Sequence, residues 1–443
     1  MRTTRVPMRV AVLTMAALAA AGARADVPAP LALPEAVAEG VRNHPLVQMS
    51  EAQVASARAL AGASRGALGP RLTVTARHAR TGPIPTFEVD TPDGPQTVSV
   101  GTPQTTTGAL ALALPLDWSG QLRTAADAQS LQALAVESVH DRVVLDVALL
   151  VEVQFLAVLR AQALQAVAEA SLAADEEHLR VAKARHDAGA APEFDVLRVE
   201  VEVADGRQAL VAAQAAVLTA ETALNRALGR PVDGALMLDT ASAGAAALRM
   251  PDDPMAAALG RRPELAEAQA QRRAAQLGIK LAGSGRAPVV SLGGDYDFDA
   301  NPSGFAGRPM FWNLSLTVAL PIFDSGVTRA RQASAAALLA ATDARVRDVE
   351  AQVALEVRTA RLDLGAAEER VLAVETAVAQ AEEALRIARV RYEAGLGTPV
   401  ELTDATVALT RVRTNQVNAQ YDVLLSRARL RRALGTAPGE AER

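Results

Sequence analysis

Apolar and polar residues alternate one for one over four short stretches of this chain, and recur in steps of three and four over two very long ones. The clearest alternation sets Trp312, Leu314, Leu316, Val318 and Leu320 against Asn313, Ser315, Thr317 and Ala319. A period of two marks a β-strand with unlike faces, and about ten residues is the length of a membrane-crossing strand. Leu110, Leu112 and Leu114 alternate with Ala109, Ala111 and Ala113 in the same way. Two more strands follow Pro70 and Pro288. One sets Leu72, Val74 and Ala76 against Thr73, Thr75 and Arg77; the other sets Val290, Leu292, Tyr296 and Phe298 against Ser291, Asp295 and Asp297. The pattern predicts strands over about 71–80, 106–116, 288–298 and 311–321, joined in pairs by Pro/Gly/Thr-rich loops over about 81–103 and 301–309.

The two long stretches, about 121–188 and 327–394, contain no proline. Each predicts a helix about 100 Å long at 1.5 Å per residue. In the second, Val371, Val374, Val378, Ala381, Leu385, Ala388 and Tyr392 form a heptad seam; in the first, Gln165 and Asp175 interrupt it. Helices of this length need other long helices beside them. Gly189 and Gly395 supply the left-handed residue that ends each one. Return helices over about 193–228 and 400–434 follow, with Pro192 and Pro399 suited to the first helical position and Thr398 with Glu401 forming a capping box.

These elements occur twice. Residues 179–189 read LRVAKARHDAG and residues 385–395 read LRIARVRYEAG. The same 206-residue offset links Pro115 to Pro321, Gly120 to Gly326 and Leu228-Gly229 to Leu434-Gly435; upstream, Pro45 pairs with Pro263 and Pro70 with Pro288 at an offset of 218. The expected division is a first repeat over 26–240 and a second over 241–443. Each holds a short helix, two strands, a long helix and a return helix.

Composition narrows the setting. Arg2, Arg5 and Arg9, the apolar run Val10–Ala21 and Ala23-Arg24-Ala25 read as a signal peptide over 1–25, cut before Asp26. There is no cysteine, so disulfides and thiolate chemistry are excluded. A net charge of −5 argues against a nucleic-acid partner. No P-loop or H-E-x-x-H motif occurs, and His44, His78, His140, His178 and His186 are scattered without metal-ligand spacing. The reading is a non-enzyme with no cofactor and no metal.

Phe87, Trp118, Tyr296, Phe298, Phe305, Phe311, Trp312 and Phe323 lie in or beside the β segments. Aromatics at the ends of alternating strands form the girdle of an outer-membrane barrel. A small soluble β-sandwich is the alternative, and the export signal and the Asn/Ser/Thr face of strand 311–321 favour the barrel. Four strands cannot close such a barrel, and an open edge in lipid leaves N–H and C=O groups unpaired. Copies of the chain must therefore share one. Two chains would give eight strands and three would give twelve; only the larger barrel leaves room for a water channel.

Leu114-Pro115 followed by Ser119-Gly120, Leu320-Pro321 followed by Ser325-Gly326, and Tyr392-Glu-Ala-Gly395-Leu-Gly-Thr398 followed by Glu401-Leu-Thr-Asp404-Ala405 resemble the TolC-like outer-membrane efflux factors over about Leu33 to Ala437. The resemblance implies a homotrimer in outer-membrane lipid. A twelve-stranded barrel would continue into a periplasmic coiled-coil α-barrel. It implies a passive conduit for efflux or type I secretion, docked to a periplasmic adaptor (membrane fusion protein) and an inner-membrane pump. The turns Gly189, Ala190, Ala191, Pro192 and Gly395, Leu396, Gly397, Thr398 would be adaptor-contact tips; the first departs from the family's Gly-Leu-Gly-Thr pattern. Glu401 and Asp404 would ring a periplasmic gate, with Asp195 and Arg198 at the matching positions of the first repeat. The alternatives are plain helix caps for the turns, ordinary N-terminal acids for Glu401 and Asp404, and, for the whole chain, a periplasmic coiled-coil adaptor.

Overall fold

A computed structural model of the chain describes residues 30–99, 103–245, 250–300 and 309–437. The signal peptide, Phe305 and most of the 301–309 loop lie outside them. The elements run α1 (Leu33–Asn43), α2 (Pro45–Gly66), β1 (Arg71–Arg80), β2 (Thr86–Thr91), β3 (Gly94–Ser99), β4 (Gln104–Leu116), α3 (Gln121–Asp187), α4 (Glu193–Leu228), α5 (Ser242–Ala245), α6 (Pro254–Arg261), α7 (Pro263–Gly283), β5 (Val289–Asp299), β6 (Met310–Ala319), α8 (Val327–Glu393) and α9 (Pro399–Ala433). The architecture is mostly helical and duplicated: α1, α2, β1, β4, α3 and α4 recur as α6, α7, β5, β6, α8 and α9.

The long helices α3 and α8 have 67 residues each. Both begin at a left-handed glycine, Gly120 or Gly326. An aspartate caps each start. Asp117 accepts from the N–H groups of Leu122 and Arg123, both at 3.0 Å, and Asp324 from those of Gly326 (3.2 Å) and Thr328 (2.9 Å). Exposed Trp118 and Phe323 stand beside these caps, where strand passes into helix. Along α8 the heptad positions named above are buried or half-buried and the residues between them mostly exposed, as a coiled-coil seam requires.

The two copies pack their helices with matching residues. Where α1, α3 and α4 meet, the core holds Val147, Val151, Phe155, Leu224 and Leu228. Where α6, α8 and α9 meet, it holds Val353, Val357, Leu430 and Leu434, each 206 residues on. The partner of Phe155 is Arg361, which leaves the second core smaller. The return helices end alike. Gly229 (φ +73°) lies against Asn43 and Gly435 (φ +76°) against Arg261, the last residues of α1 and α6. A Cβ on Gly229 would stand 2.8 Å from the Asn43 carbonyl oxygen, whereas one on Gly189 (φ +71°) would meet nothing within 4 Å. Gly189→Ala is therefore expected to cost about 1 kcal/mol for the left-handed backbone alone, and Gly229→Ala about 2–4 kcal/mol because backbone must also shift. Thermal melts of the detergent-extracted protein check the order.

One antiparallel sheet runs β1-β4-β5-β6, so β4 and β5 join the two repeats and β1 and β6 are its edges. The register sorts the side chains. Leu72, Leu112, Gly294 and Leu314 share a row, as do Val74, Leu110, Tyr296 and Trp312, and Leu114, Leu292 and Leu316. The opposite face carries Thr73, Ala111, Asp295 and Asn313 in one row and Arg71, Ala113, Gly293 and Ser315 in another. The apolar face is bare: Val74 is 76% exposed and Trp312 74%.

Two expectations need correction. The 81–103 loop of the first repeat holds a separate hairpin, β2 with β3, which pairs Phe87 with Val98. Its turn is Thr91-Pro92-Asp93-Gly94, with Gly94 at φ +107° and the Thr91 hydroxyl donating to the Gly94 carbonyl (2.7 Å). Pro-Asp-Gly is a turn signal in its own right, and Phe87 belongs to this hairpin rather than to the four-stranded sheet. Pro192, unlike Pro399, is not the first helical residue. It precedes α4 with extended backbone (ψ 155°), because Glu193 opens the helix. Among the described residues no helix is long and apolar enough to cross a membrane.

Candidate functional site: sheet edges, helical tips and the seam between the hairpins

The α3–α4 and α8–α9 hairpins turn through the same motif. Gly189 N–H donates to the His186 carbonyl and Ala190 N–H to that of Arg185, both at 2.8 Å. Gly395 N–H donates to Tyr392 (3.1 Å) and Leu396 N–H to Arg391 (2.8 Å). This is the Schellman arrangement, which satisfies the last carbonyls of a helix and reverses the chain. The second tip is tighter. Gly397 N–H also reaches the Arg391 carbonyl (3.0 Å), and a Cβ there would stand 3.0 Å from the Tyr392 nitrogen. Leu396 is pushed out to 75% exposure. Thr398 caps α9 by accepting from Glu401 N–H at 3.3 Å.

Glu401 and Asp404 both project from the first turns of α9 and are exposed. The Glu401 carboxylate lies 3.9 Å from Arg391 of the same hairpin. Asp195 holds the matching place on α4, half-buried, its N–H bonded to the Pro192 carbonyl at 3.1 Å. Arg198 faces Glu202, one turn on, at 3.7 Å. The chain thus brings Glu401 to Arg391, and Arg198 to Glu202 rather than to Glu401 or Asp404.

The seam between the two hairpins was not foreseen. Helices α3 and α9 run antiparallel and meet through polar groups. Farthest from the tips, Arg431 pairs with Glu152, both side chains about 95% buried. Arg432 beside it binds Asp146 and Glu264 at 2.7 Å each, and Arg262 binds Glu264 (2.9 Å) and Glu356 (2.6 Å). Nearer the tips Arg160 donates to Asn418 (2.9 Å) and the Ser171 and Thr410 hydroxyls meet at 3.0 Å. Next, the Thr403 hydroxyl donates to Glu202 at 3.0 Å. Last, Arg185 lies over the Tyr392 ring, 4.6 Å from its centroid, and bonds the Tyr392 carbonyl at 2.9 Å. His178 meets the same ring edge-on at 5.5 Å.

Burial pushes the Glu152 carboxyl up, against the pull of Arg431. Asp175, which breaks the first heptad seam, sits half-buried in the groove that α4 and α9 form over α3; burial, then the nearby Glu202 charge, raise it to about 6. Among the described residues no group of acids and histidines has the geometry of a metal site.

The outer membrane efflux protein family model matches residues 38–230 and 255–436. Among curated relatives, the pyoverdine export outer membrane protein OpmQ of Pseudomonas aeruginosa is 30% identical over 220 residues, 48% of this chain and 45% of that protein. The alignment thus spans under half that relative's length. Among solved structures, CusC superposes with a TM-score of 0.81 at 20% identity, covering 92% of this chain and 93% of that one. The outer membrane protein VceC from Vibrio cholerae gives 0.76 at 21% identity, covering 91% and 96%. At such identities the structures speak for the fold, and the family model speaks for descent. With its duplicated hairpins, its four-stranded sheet and a family match over most of its length, the chain belongs to the outer membrane efflux protein family.

Proposed function

We propose that three copies of this chain form the outer-membrane conduit of a tripartite efflux or type I secretion assembly. The observation that carries this reading is the β1-β4-β5-β6 sheet, with a bare apolar face, a polar face and two open edges. The directions alternate across the sheet, so β6 of one copy can pair antiparallel with β1 of the next and leave no edge in lipid. Three copies give the twelve strands that leave a wet lumen, lined by Thr73, Asp295 and Asn313. The helical hairpins then extend into the periplasm and contribute no chemistry. Their exposed turns, Gly189–Pro192 and Gly395–Thr398, meet a periplasmic adaptor that couples the conduit to an inner-membrane pump. The adaptor alternative for this chain leaves the bare apolar sheet unexplained.

At the tip end, Glu401 and Asp404 from three copies ring the constriction, with Asp195 nearby. Like charges so crowded favour cations and resist anions. The double substitution Glu401→Ala plus Asp404→Ala is expected to raise single-channel conductance in planar bilayers at least severalfold and to erase cation preference. Conductance and preference equal to wild type would remove the gate from these residues. Failure of the purified protein to conduct, or its migration as a monomer before heating, would remove the conduit itself.

A further inference from the structure

Tyr392 is the last buried residue of α8 before the second tip, and its ring is held by α3 of the other repeat. Arg185 lies over the face of the ring, and the His178 ring stands nearly perpendicular to it, 5.5 Å between centroids. The His178 side chain is 9% exposed. Its Nδ1 lies 3.7 Å from the Glu202 carboxylate, and its Nε2 is buried without a hydrogen-bond partner.

We propose that His178 is a proton-operated release for the second tip: when its imidazole takes up a proton, α3 loosens its hold on Tyr392 and frees the end of α8 with the turn Gly395–Thr398. A neutral ring can keep its proton on Nδ1, toward Glu202, and leave only an idle lone pair at Nε2. The second proton must go to Nε2. That makes a buried cationic N–H with no acceptor, next to a ring already covered by the Arg185 cation. The proton is accommodated better once the seam parts and the ring reaches water.

The groups around His178 fix the sign. From α3 come Asp175, Glu177 and Arg185; from α4, Arg198 and Glu202; from α8, Arg389, Tyr392 and Glu393; α9 contributes Leu402 and Thr406, and Thr403 on Glu202, none of which titrates. Burial lowers the imidazole, Glu202 raises it in part and Arg198 lowers it further. The packed seam therefore binds this proton less tightly than the released one, and acid favours release as pH falls below the ordinary histidine value of about 6.5. Asp175 acts oppositely. Raised to about 6, it binds its proton more tightly in the packed seam and tightens it below that pH. Removing Asp175 exposes the histidine effect alone.

The test is hydrogen exchange by mass spectrometry on the full chain in detergent, at pH 7.5 and 5.5. Rates are corrected for intrinsic pH dependence, and peptides over 385–398 are compared with the α1–α4 core over 221–230. In Asp175→Asn, protection of 385–398 is expected to fall severalfold at pH 5.5 while the core is unchanged. At pH 5.5, one unit below the ordinary histidine value of about 6.5, the linkage allows a fall of up to about tenfold. Adding His178→Gln, or His178→Phe to keep a ring edge against Tyr392, is expected to abolish the fall. An Asp175→Asn protein with no acid-dependent loss, or a loss that survives both histidine substitutions, overturns the proposal. Neither outcome bears on conduction, which the bilayer recordings read separately.

Discussion

Replacing Glu152 with alanine is expected to cost the folded chain about 3–5 kcal/mol, the usual penalty for breaking a buried ion pair from one side. A domain's whole stability is about 5–15 kcal/mol, so the variant should melt far below wild type or fail to assemble. The reason is desolvation. Both side chains are about 95% buried at the α3–α9 crossing, and the substitution leaves the Arg431 guanidinium inside without its carboxylate. Burial already raises the Glu152 carboxyl despite that neighbour, so even the intact pair is costly to keep dry. The double substitution Glu152→Leu plus Arg431→Met removes both charges and is expected to recover most of the loss, since buried pairs are often replaceable by apolar residues of like size. Melting of the detergent-extracted protein and its migration before heating measure both. A Glu152→Ala protein that melts with wild type would show that the crossing is wetter than its packing indicates.

That pair also marks the limit of what the chain reveals before folding. The hairpins are legible because Gly189, Gly395, Pro399 and Thr398 punctuate them, and because the second copy repeats the first at a fixed offset. The strand faces are legible because a period of two separates Trp312 and Leu314 from Asn313 and Ser315. Glu152 and Arg431 carry no such signal. They lie 279 residues apart, and their counterparts in the other copy are Arg358 and Asn225. Periodicity tells which face of a helix is buried, not what it is buried against. Asp175 did leave a trace, as a charge breaking the first heptad seam, and the groove it faces is where repeat meets repeat. Tyr392 showed as the last residue of a seam; that α3 holds it through Arg185 and His178 could not be read, since its counterpart is His186, which bonds within its own tip (Nδ1 to the Ala191 carbonyl, 3.0 Å). Glu401 and Asp404 are placed by their helix, but a ring is a property of three chains.

Locking the seam near the tips should stop transport almost completely. Inside each hairpin, apolar side chains such as Ala182, Val196 and Val199 pack α3 on α4. Between the hairpins the contacts change along the way, from a buried ion pair at Glu152–Arg431 to a hydroxyl pair at Ser171–Thr410 and an aromatic edge at His178–Tyr392. Far from the tips Tyr421, Leu424 and Leu425 of α9 also pack on the core that α1, α3 and α4 share, whereas a neutral hydrogen bond such as Ser171–Thr410 is worth about 0.5–1.5 kcal/mol net. The α3–α9 contact is therefore firmest far from the tips, where apolar packing backs it, so an opening conduit would part it from the tips upward. Ser171→Cys plus Thr410→Cys places two sulfurs where hydroxyls now stand 3.0 Å apart, in a chain with no other cysteine to compete. Oxidation is expected to abolish conductance and export, with residual transport tracking the fraction left reduced, and a reductant should restore both. Full transport through the cross-linked protein would mean that the tips open while α3 and α9 stay joined, and the gradient of seam strength would then have no part in gating.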